Sequence, residues 1–293
     1  MELVELSVEV DAESTEPVCE AFRRYGCDRV VVEQLGPPAE QSRLLVRAYV
    51  PNDESQEKLR AGMEVVLRLL ALIRPVGALQ CRLIREEDWA RAWRKQFTIQ
   101  HVGRRVVVCP TWLSYRPVQD EVVVSLDPGM AFGTGVHPTT RMCLEALDTL
   151  VQKGMRVMDV GTGSGILAIA AAKLGAAKAL ALDVDPVAVK VARENVEVNR
   201  VGHLVDVEEG ALRHDPERPG PGWDVIVANI TLNPIVGLAP HIVNSLADGG
   251  VAVLSGLLNE QGPAVESAFE AYGASPESRA VTDDWLTLTF VRP

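Results

Sequence analysis

The sequence has little with which to build a disulfide or zinc scaffold: five cysteines in 293 residues, an odd number, with no Cys-x-x-Cys pair. It also lacks an uninterrupted apolar run of about 20 residues, the length a spanning helix needs. Even the Ala- and Leu-rich stretch after residue 166 is broken by Lys173 and Lys178. No basic segment followed by an apolar one opens the chain, which begins Met-Glu-Leu-Val-Glu-Leu. A cytosolic protein that does not enter a membrane is therefore expected. Low-complexity tracts are missing, which excludes collagen-like, coiled-coil and mucin-like readings. Basic excess is missing as well. The formal charge is −11, against broad affinity for a phosphate backbone and in favour of a basic partner.

What is present is an ordinary globular composition, 47% hydrophobic and 24% charged, long enough for about two domains at ~150 residues each. Charge divides it. Residues 82–105 carry seven basic against three acidic side chains, and 106–293 carry thirteen against twenty-three. The basic stretch places Trp89 and Trp93 on one helix face among Arg91, Arg94 and Lys95. It reads as a connecting helix whose tryptophans either pack on a neighbouring domain or touch a substrate.

Ahead of it, residues 2–10 alternate as a strand and 12–26 have helical spacing, with Ser14 or Thr15 near the N-cap. Strands at 29–35 and 42–50 flank Gly36-Pro37-Pro38. A helix from Asp53 to about Ile73 and a strand over about 78–85 complete a βαββαβ order, the ferredoxin-like signature. From residue 155 strands and helices alternate with continuous apolar strands, a doubly wound, mostly parallel sheet, and 284–291 read as a late antiparallel strand. The expected class is α/β, a Rossmann-like domain plus a small N-terminal α+β domain. The expected boundaries are 1–80 for recognition, 81–105 for the helical linker and 106–293 for catalysis.

The strand Val157-Met-Asp-Val160 feeds Gly161-Thr-Gly-Ser-Gly165 and then an apolar helix, so backbone can approach a ligand beside a helix N-terminus. Asp183, at the tip of the next strand, can accept both hydroxyls of a ribose. An adenosine site is read over a purely structural turn. Where a dinucleotide fold wants its third glycine stands Ile166. Asp159, two residues before the first glycine, sits near a place for a cationic amino-acid tail. Asp185 reads as an N-cap for a helix opened by Pro186.

The run from Asp159 through Gly165, Leu182-Asp-Val-Asp-Pro186 and the Asp248-Gly-Gly250 turn resemble the Rossmann-like methyltransferases that use S-adenosylmethionine (SAM), which favours SAM over NAD. Asn229 ends a core strand in Ala228-Asn-Ile-Thr231. Either it offers its carbonyl oxygen to an amine awaiting methylation, or it closes a turn before Pro234. No aromatic follows Asn229 to stack on an extruded base, so an aliphatic amine is expected. Upstream, the loop from Leu126 to Thr140 is rich in Gly and Pro. Thr139 or Thr140 can start the next helix, and His137 is either a base or a shaper of that loop.

That loop, Asp127-Pro-Gly-x-Ala-Phe-Gly-Thr-Gly-x-His-Pro-Thr-Thr140, resembles the PrmA family, the methyltransferases of the large-subunit ribosomal protein L-eleven. Asp88-Trp89 with Trp93, Cys109-Pro-x-Trp112 and Gly161 through Ala171 add to the match. Val136 and Thr162 depart from it, standing where Thr and Cys are frequent.

The resemblance implies methylation of lysine side chains or an N-terminal amine on a ribosomal protein, free or before assembly. No direct reading of nucleic acid, no metal and no membrane are implied. Cofactor contacts are implied at Thr140, Gly161, Asp183 and Asn229, joined from the loop reading by Asp159, Gly163 and Gly165. The candidates nearest the reacting amine are Asn229, Phe132 and His137, with the Phe132–His137 loop closing over the site. A methyltransferase acting on another protein's lysine, and more remotely an NAD-dependent dehydrogenase, are the alternatives.

Overall fold

The computed structural model describes residues 2–25, 27, 30–35, 43–52, 54–74, 76–85, 97–127, 137–213 and 222–293. Two compact units divide the chain, Met1–Gln96 and Phe97–Pro293.

In the smaller unit, β1 (Glu2–Val10) and α1 (Ala12–Arg24) are followed by β2 (Val30–Leu35), β3 (Arg43–Pro51), α2 (Glu54–Leu70) and β4 (Gln80–Arg85). The sheet order is β2-β3-β1-β4 with every pair antiparallel. Alternation along β1 explains its register: Leu6 and Val8 are fully buried against Phe22 of α1 and Met63 of α2. Leu59, Met63 and Leu67 recur every four residues on α2 and form the stripe it buries. Helix α1 is capped differently from expectation. The carboxylate of Asp11 accepts the Ser14 N–H at 2.7 Å, one position outside the helix rather than within it.

Arg82–Arg85, which the sequence places both at the end of the strand over about 78–85 and at the start of the connecting helix, are the end of strand β4. Residues 86–96, with Trp89 and Trp93, lie outside the described residues. From Phe97 the chain is part of the larger unit, starting nine residues before the expected 106. A short sheet of β5 (Gln100–Val102), β6 (Val106–Pro110) and β7 (Val122–Leu126) comes first.

Then follow α3 (Pro138–Leu150), β8 (Arg156–Val160), α4 (Ile166–Leu174), β9 (Lys178–Asp183), α5 (Pro186–Val198), β10 (Val205–Glu209), β11 (Trp223–Asn229), α6 (Leu232–Ser245), β12 (Leu246–Leu258), α7 (Gly262–Glu270), β13 (Ser275–Thr282) and β14 (Trp285–Val291). The seven strands run β10-β9-β8-β11-β12-β14-β13, parallel except at β14 and β13. Successive residues of one strand enter different clusters. Val157, Val225, Val227 and Val253 pack with α3 and α4, whereas Met158, Ile226, Ala228 and Leu254 pack with α6 and α7. Helices on both faces therefore bury both sides of the central strands.

The first strand, β8, stands at mid-sheet. The chain winds outward through β9 and β10 on one side, and through β11 and β12 on the other. Such a reversal leaves a crevice beyond the carboxyl ends of β8 and β11, where open α/β sheets bind ligands. The Asp248-Gly-Gly250 turn is a bulge inside β12, skipped by the pairing that passes from Leu246 to Val251. No helix among the described residues is long and apolar enough to cross a membrane.

Candidate active site

The glycine loop leaves β8 and is tied to the adjacent strand. The N–H groups of Gly161 and Thr162 donate to the Leu182 carbonyl at 2.8 and 2.9 Å. Gly161 has φ 74°, and a Cβ there would collide with the Ile230 side chain. Only glycine fits that space and that backbone. Asp183, ending β9, accepts the Gly163 N–H on one carboxylate oxygen (2.9 Å) and the Asp185 N–H on the other (3.0 Å). A carboxylate has about four lone-pair sites, so each oxygen keeps one after holding the two loops in place. Asp185 caps α5, accepting the Val187 N–H at 2.8 Å, as its position before Pro186 predicts.

Asp159 has a different surrounding. It is 1% exposed, and one oxygen accepts the Thr162 hydroxyl at 2.6 Å and the Ala168 N–H at 3.2 Å. Its other oxygen is buried without a partner among the described residues. Burial pushes the carboxyl up to about 7, opposed by those two hydrogen bonds and reinforced by the nearby charge of Asp183. It braces the loop and the first turn of α4 from behind.

In front of the loop lies a cavity of about 860 Å³, ample for a nucleoside with an amino-acid tail. Gly161, Gly163, Asp183, His137, Thr140 and Asn229 all line it, although they come from separate segments of the chain. Asp159 and Gly165 do not, and Phe132 lies in 128–136, outside the described residues.

Asn229 ends β11. Its Nδ2 donates to Thr140 Oγ1 at 3.3 Å, and its Oδ1 is a buried acceptor with no partner among the described residues. The following residue is held by its backbone, Ile230 N–H to the Ser255 carbonyl at 3.1 Å. Ser255 is fully buried, accepts the Thr287 hydroxyl at 2.7 Å and donates to the Leu286 carbonyl at 3.2 Å. A polar strut between β12 and β14 thus backs the end of β11.

Helix α3 starts at His137, ahead of the expected Thr139 or Thr140. The imidazole Nδ1 accepts the Thr139 N–H at 3.4 Å and lies 2.7 Å from its hydroxyl. Accepting at Nδ1 requires that nitrogen to be unprotonated, and burial lowers the ring's pKa, so the cap favours neutral imidazole. Its ring meets the Trp285 indole edge to face, with centroids 4.8 Å apart. His137 thereby fixes the start of α3.

Trp285, Thr231 and the turn at Gly210–Leu212 also line the cavity, and the sequence reading did not single them out. Gly210 follows β10 at the sheet's carboxyl edge and donates its N–H to the Asp183 carbonyl at 2.8 Å, so its position carried a usable signal. Trp285 carried none, because only the strand order brings β14 beside β12. Among the described residues, no cluster of three or more His, Cys, Asp or Glu is placed to hold a metal.

The family model for ribosomal protein L11 methyltransferase (PrmA) matches residues 2–293. The ribosomal protein L11 methyltransferase of Chloroflexus aurantiacus is 44% identical over 321 residues, covering 99% of this chain and 98% of that protein. That of Herpetosiphon aurantiacus is 39% identical over 320 residues, covering all of both. A crystal structure of the ribosomal protein L11 methylase from Lactobacillus delbrueckii subsp. bulgaricus superposes with a TM-score of 0.61 at 32% identity, covering 67% of this chain and 99% of that one. Across residues 2–293 the chain belongs to the ribosomal protein L11 methyltransferase (PrmA) family.

Proposed function

We propose that this chain transfers methyl groups from SAM to amino groups of the large-subunit ribosomal protein L11, at lysine side chains or the N-terminal amine. The observation that carries the reading is Asn229: a buried carbonyl oxygen without a donor among the described residues, on the wall of a cavity that also presents the Asp183 carboxylate. The family relationship supports the protein substrate. An acidic net charge supports a basic one. Proteins of the ribosome are made in the cytosol, where this reading places the enzyme. Substrate recognition is assigned to the smaller unit, Met1–Gln96, and catalysis to Phe97–Pro293.

The residues present fit the cofactor. Asp183 retains one lone pair on each oxygen for the two ribose hydroxyls, and Gly161 and Gly163 let backbone come close beside them. Thr140 and Asn229 supply further polar atoms on the cavity wall. Ile166, the residue that replaces a dinucleotide glycine, is 1% exposed and built into the core, which gives NAD no support. When bound, SAM supplies a methyl group on a sulfonium: the N–C bond forms as the S–C bond breaks, and that electron pair stays on sulfur.

The chain's own task is to present a neutral amine in line. A lysine at its ordinary pKa of ~10.4 costs about 4–5 kcal/mol to deprotonate at neutral pH, and an α-amino group near ~7.8 about 1 kcal/mol. Desolvation in a cavity walled by Val160, Ile230 and Leu238 lowers that cost, and the proton leaves to solvent. Asn229 Oδ1 accepts an N–H of the amine and turns its lone pair toward the methyl, which replaces orientational entropy with a fixed contact. His137 shapes the entrance as a neutral cap.

Replacing Asn229 by alanine tests the reading. SAM affinity is expected within about fivefold of wild type and kcat for L11 methylation reduced roughly a hundredfold. Wild-type kcat in that variant would remove Asn229 from the mechanism.

A further inference from the structure

Helix α2 is apolar on two sides. One side, with Leu59, Met63 and Leu67, is buried in the smaller unit. The other carries Ala61, Val65, Leu69, Leu72 and Ile73, all exposed; Val65 and Leu69 are 57% and 60% accessible, Leu72 and Ile73 83% and 80%. The last two belong to a turn that extends the helix, in which the Ile73 and Arg74 N–H groups donate to the Leu70 carbonyl at 2.9 and 3.0 Å. At 3.6 residues per turn the five side chains fall within an arc of about 120° and run about 18 Å along the axis. A single exposed leucine needs no explanation, but a contiguous stripe on a helix already packed on its opposite side marks a surface that another chain covers.

The charges beside the stripe say which chain. Glu64 and Arg68, four residues apart, stand on the same edge of it. Glu64 is paired with Arg60 at 3.1 Å and keeps a side chain 42% exposed. Arg68 is exposed and forms no ion pair among the described residues. A basic substrate would bring like charge to Arg68 and does not fit. A second copy of this chain does. With two α2 helices antiparallel about a twofold axis at the level of Leu67, Val65 faces Leu69 of the second copy and Ala61 faces its Ile73. The twofold brings the same edge of each helix together. Arg68 then stands two residues from the level of the second copy's Glu64, about 3 Å along the axis, a gap that these long side chains span. Symmetry repeats each contact, so the seam is apolar along its middle with two opposite-charge pairs on one edge.

We propose that α2 joins two copies of this chain as an antiparallel helix pair, sealed by the stripe from Ala61 to Ile73 and held in register by reciprocal Arg68–Glu64 pairs. All of these residues belong to the smaller unit, and none lines the cavity. A seam of one helix from each copy is smaller than the standard interface of about 800 Å² per partner, so a weak dimer is expected, with a dissociation constant of about 10–100 μM.

Sedimentation equilibrium of the full chain, from about 5 to about 500 μM, brackets that range. Wild type is expected to pass from monomer to dimer, and Leu69→Glu to stay monomeric throughout. Arg68→Glu and Glu64→Arg each set like charges across the seam, and each alone is expected to weaken association at least roughly tenfold. An equimolar mixture of those two variants restores both opposite-charge pairs in a mixed dimer, with a dissociation constant expected within about threefold of wild type. Recovery in the mixture also shows that both variants are folded, and circular dichroism checks Leu69→Glu.

A wild-type chain that remains monomeric at the highest concentration would overturn the proposal. So would a dimer that folded Leu69→Glu leaves intact, because the interface would then lie elsewhere. Folded variants that associate no better mixed than alone would overturn the Arg68–Glu64 register.

Discussion

Replacing Asp159 by asparagine is expected to flatten the pH dependence of this protein's stability between about pH 4 and pH 7. In the folded chain the carboxyl is pushed up to about 7, against an ordinary value of 3.8. The folded state therefore binds more protons than the unfolded state between those values, and stability falls as pH rises through the window. A displacement of about three pK units corresponds to roughly 4 kcal/mol as an upper bound. Water penetration and loop relaxation reduce it, so a loss of about 2–3 kcal/mol between about pH 4 and pH 7 is expected.

Three other titratable groups bear on this window. Asp183 raises the Asp159 carboxyl, and the Cys143 thiol, which feels the charge of Asp159, is itself pushed up by burial, so it stays neutral throughout. His137 works in the opposite direction: its lowered pKa makes it gain stability as pH rises through its ordinary 6.5. The carboxamide introduced by Asp159→Asn keeps one oxygen for the Thr162 hydroxyl and the Ala168 N–H, so the loop's anchors survive the exchange. Urea unfolding of wild type and Asp159→Asn, followed by circular dichroism across this range, gives the difference directly. If both proteins trace parallel curves, the buried carboxyl is not the source of the slope and the placement of Asp159 behind the loop is mistaken.

Two further outcomes test the architecture around the site. Gly161→Ala has to fit a side chain against Ile230 at φ 74°, so thermal unfolding should show a loss of about 1–3 kcal/mol and calorimetry a SAM affinity weakened at least roughly tenfold; unaltered binding would mean the loop is not the cofactor's seat. Asp148, 4% exposed at its side chain, accepts the Arg104 and Arg105 N–H groups and the Arg105 guanidinium. Asp148→Ala is expected to cost about 2–4 kcal/mol in denaturant unfolding while leaving SAM affinity in place; a neutral substitution would contradict the role given to that ion pair.

Most of the larger unit was legible because its strands announce themselves. Val225–Ala228 is apolar on both faces and Val157–Val160 is so apart from Asp159, and the glycines and prolines between elements mark where helices start. Asp183 and Asn229 could be placed because each ends such a strand. What escaped did so for physical reasons. Strand β13 is exposed along all of its residues, so no alternation betrays it. Strands β6 and β7 are short valine runs without helical or period-two pattern. Asp159 and Asp183 look alike in sequence, yet one is walled in behind the loop and the other opens on the cavity. Trp285 reaches the site only through the crossing of β14 beside β12, a tertiary fact that local spacing does not carry. The cap of α3 fell to His137 because an imidazole nitrogen can replace the hydroxyl usually expected there.

That this cavity moves a methyl group onto an amine of L11 is tested most directly by mass. Purified L11 incubated with the full chain and SAM carrying a deuterated methyl group, then digested and sequenced by mass spectrometry, should carry the label on amino nitrogen. The Asn229→Ala protein under the same conditions should leave L11 almost unlabelled. L11 that stays unlabelled with the wild-type chain, under conditions where calorimetry shows SAM bound, would contradict the account.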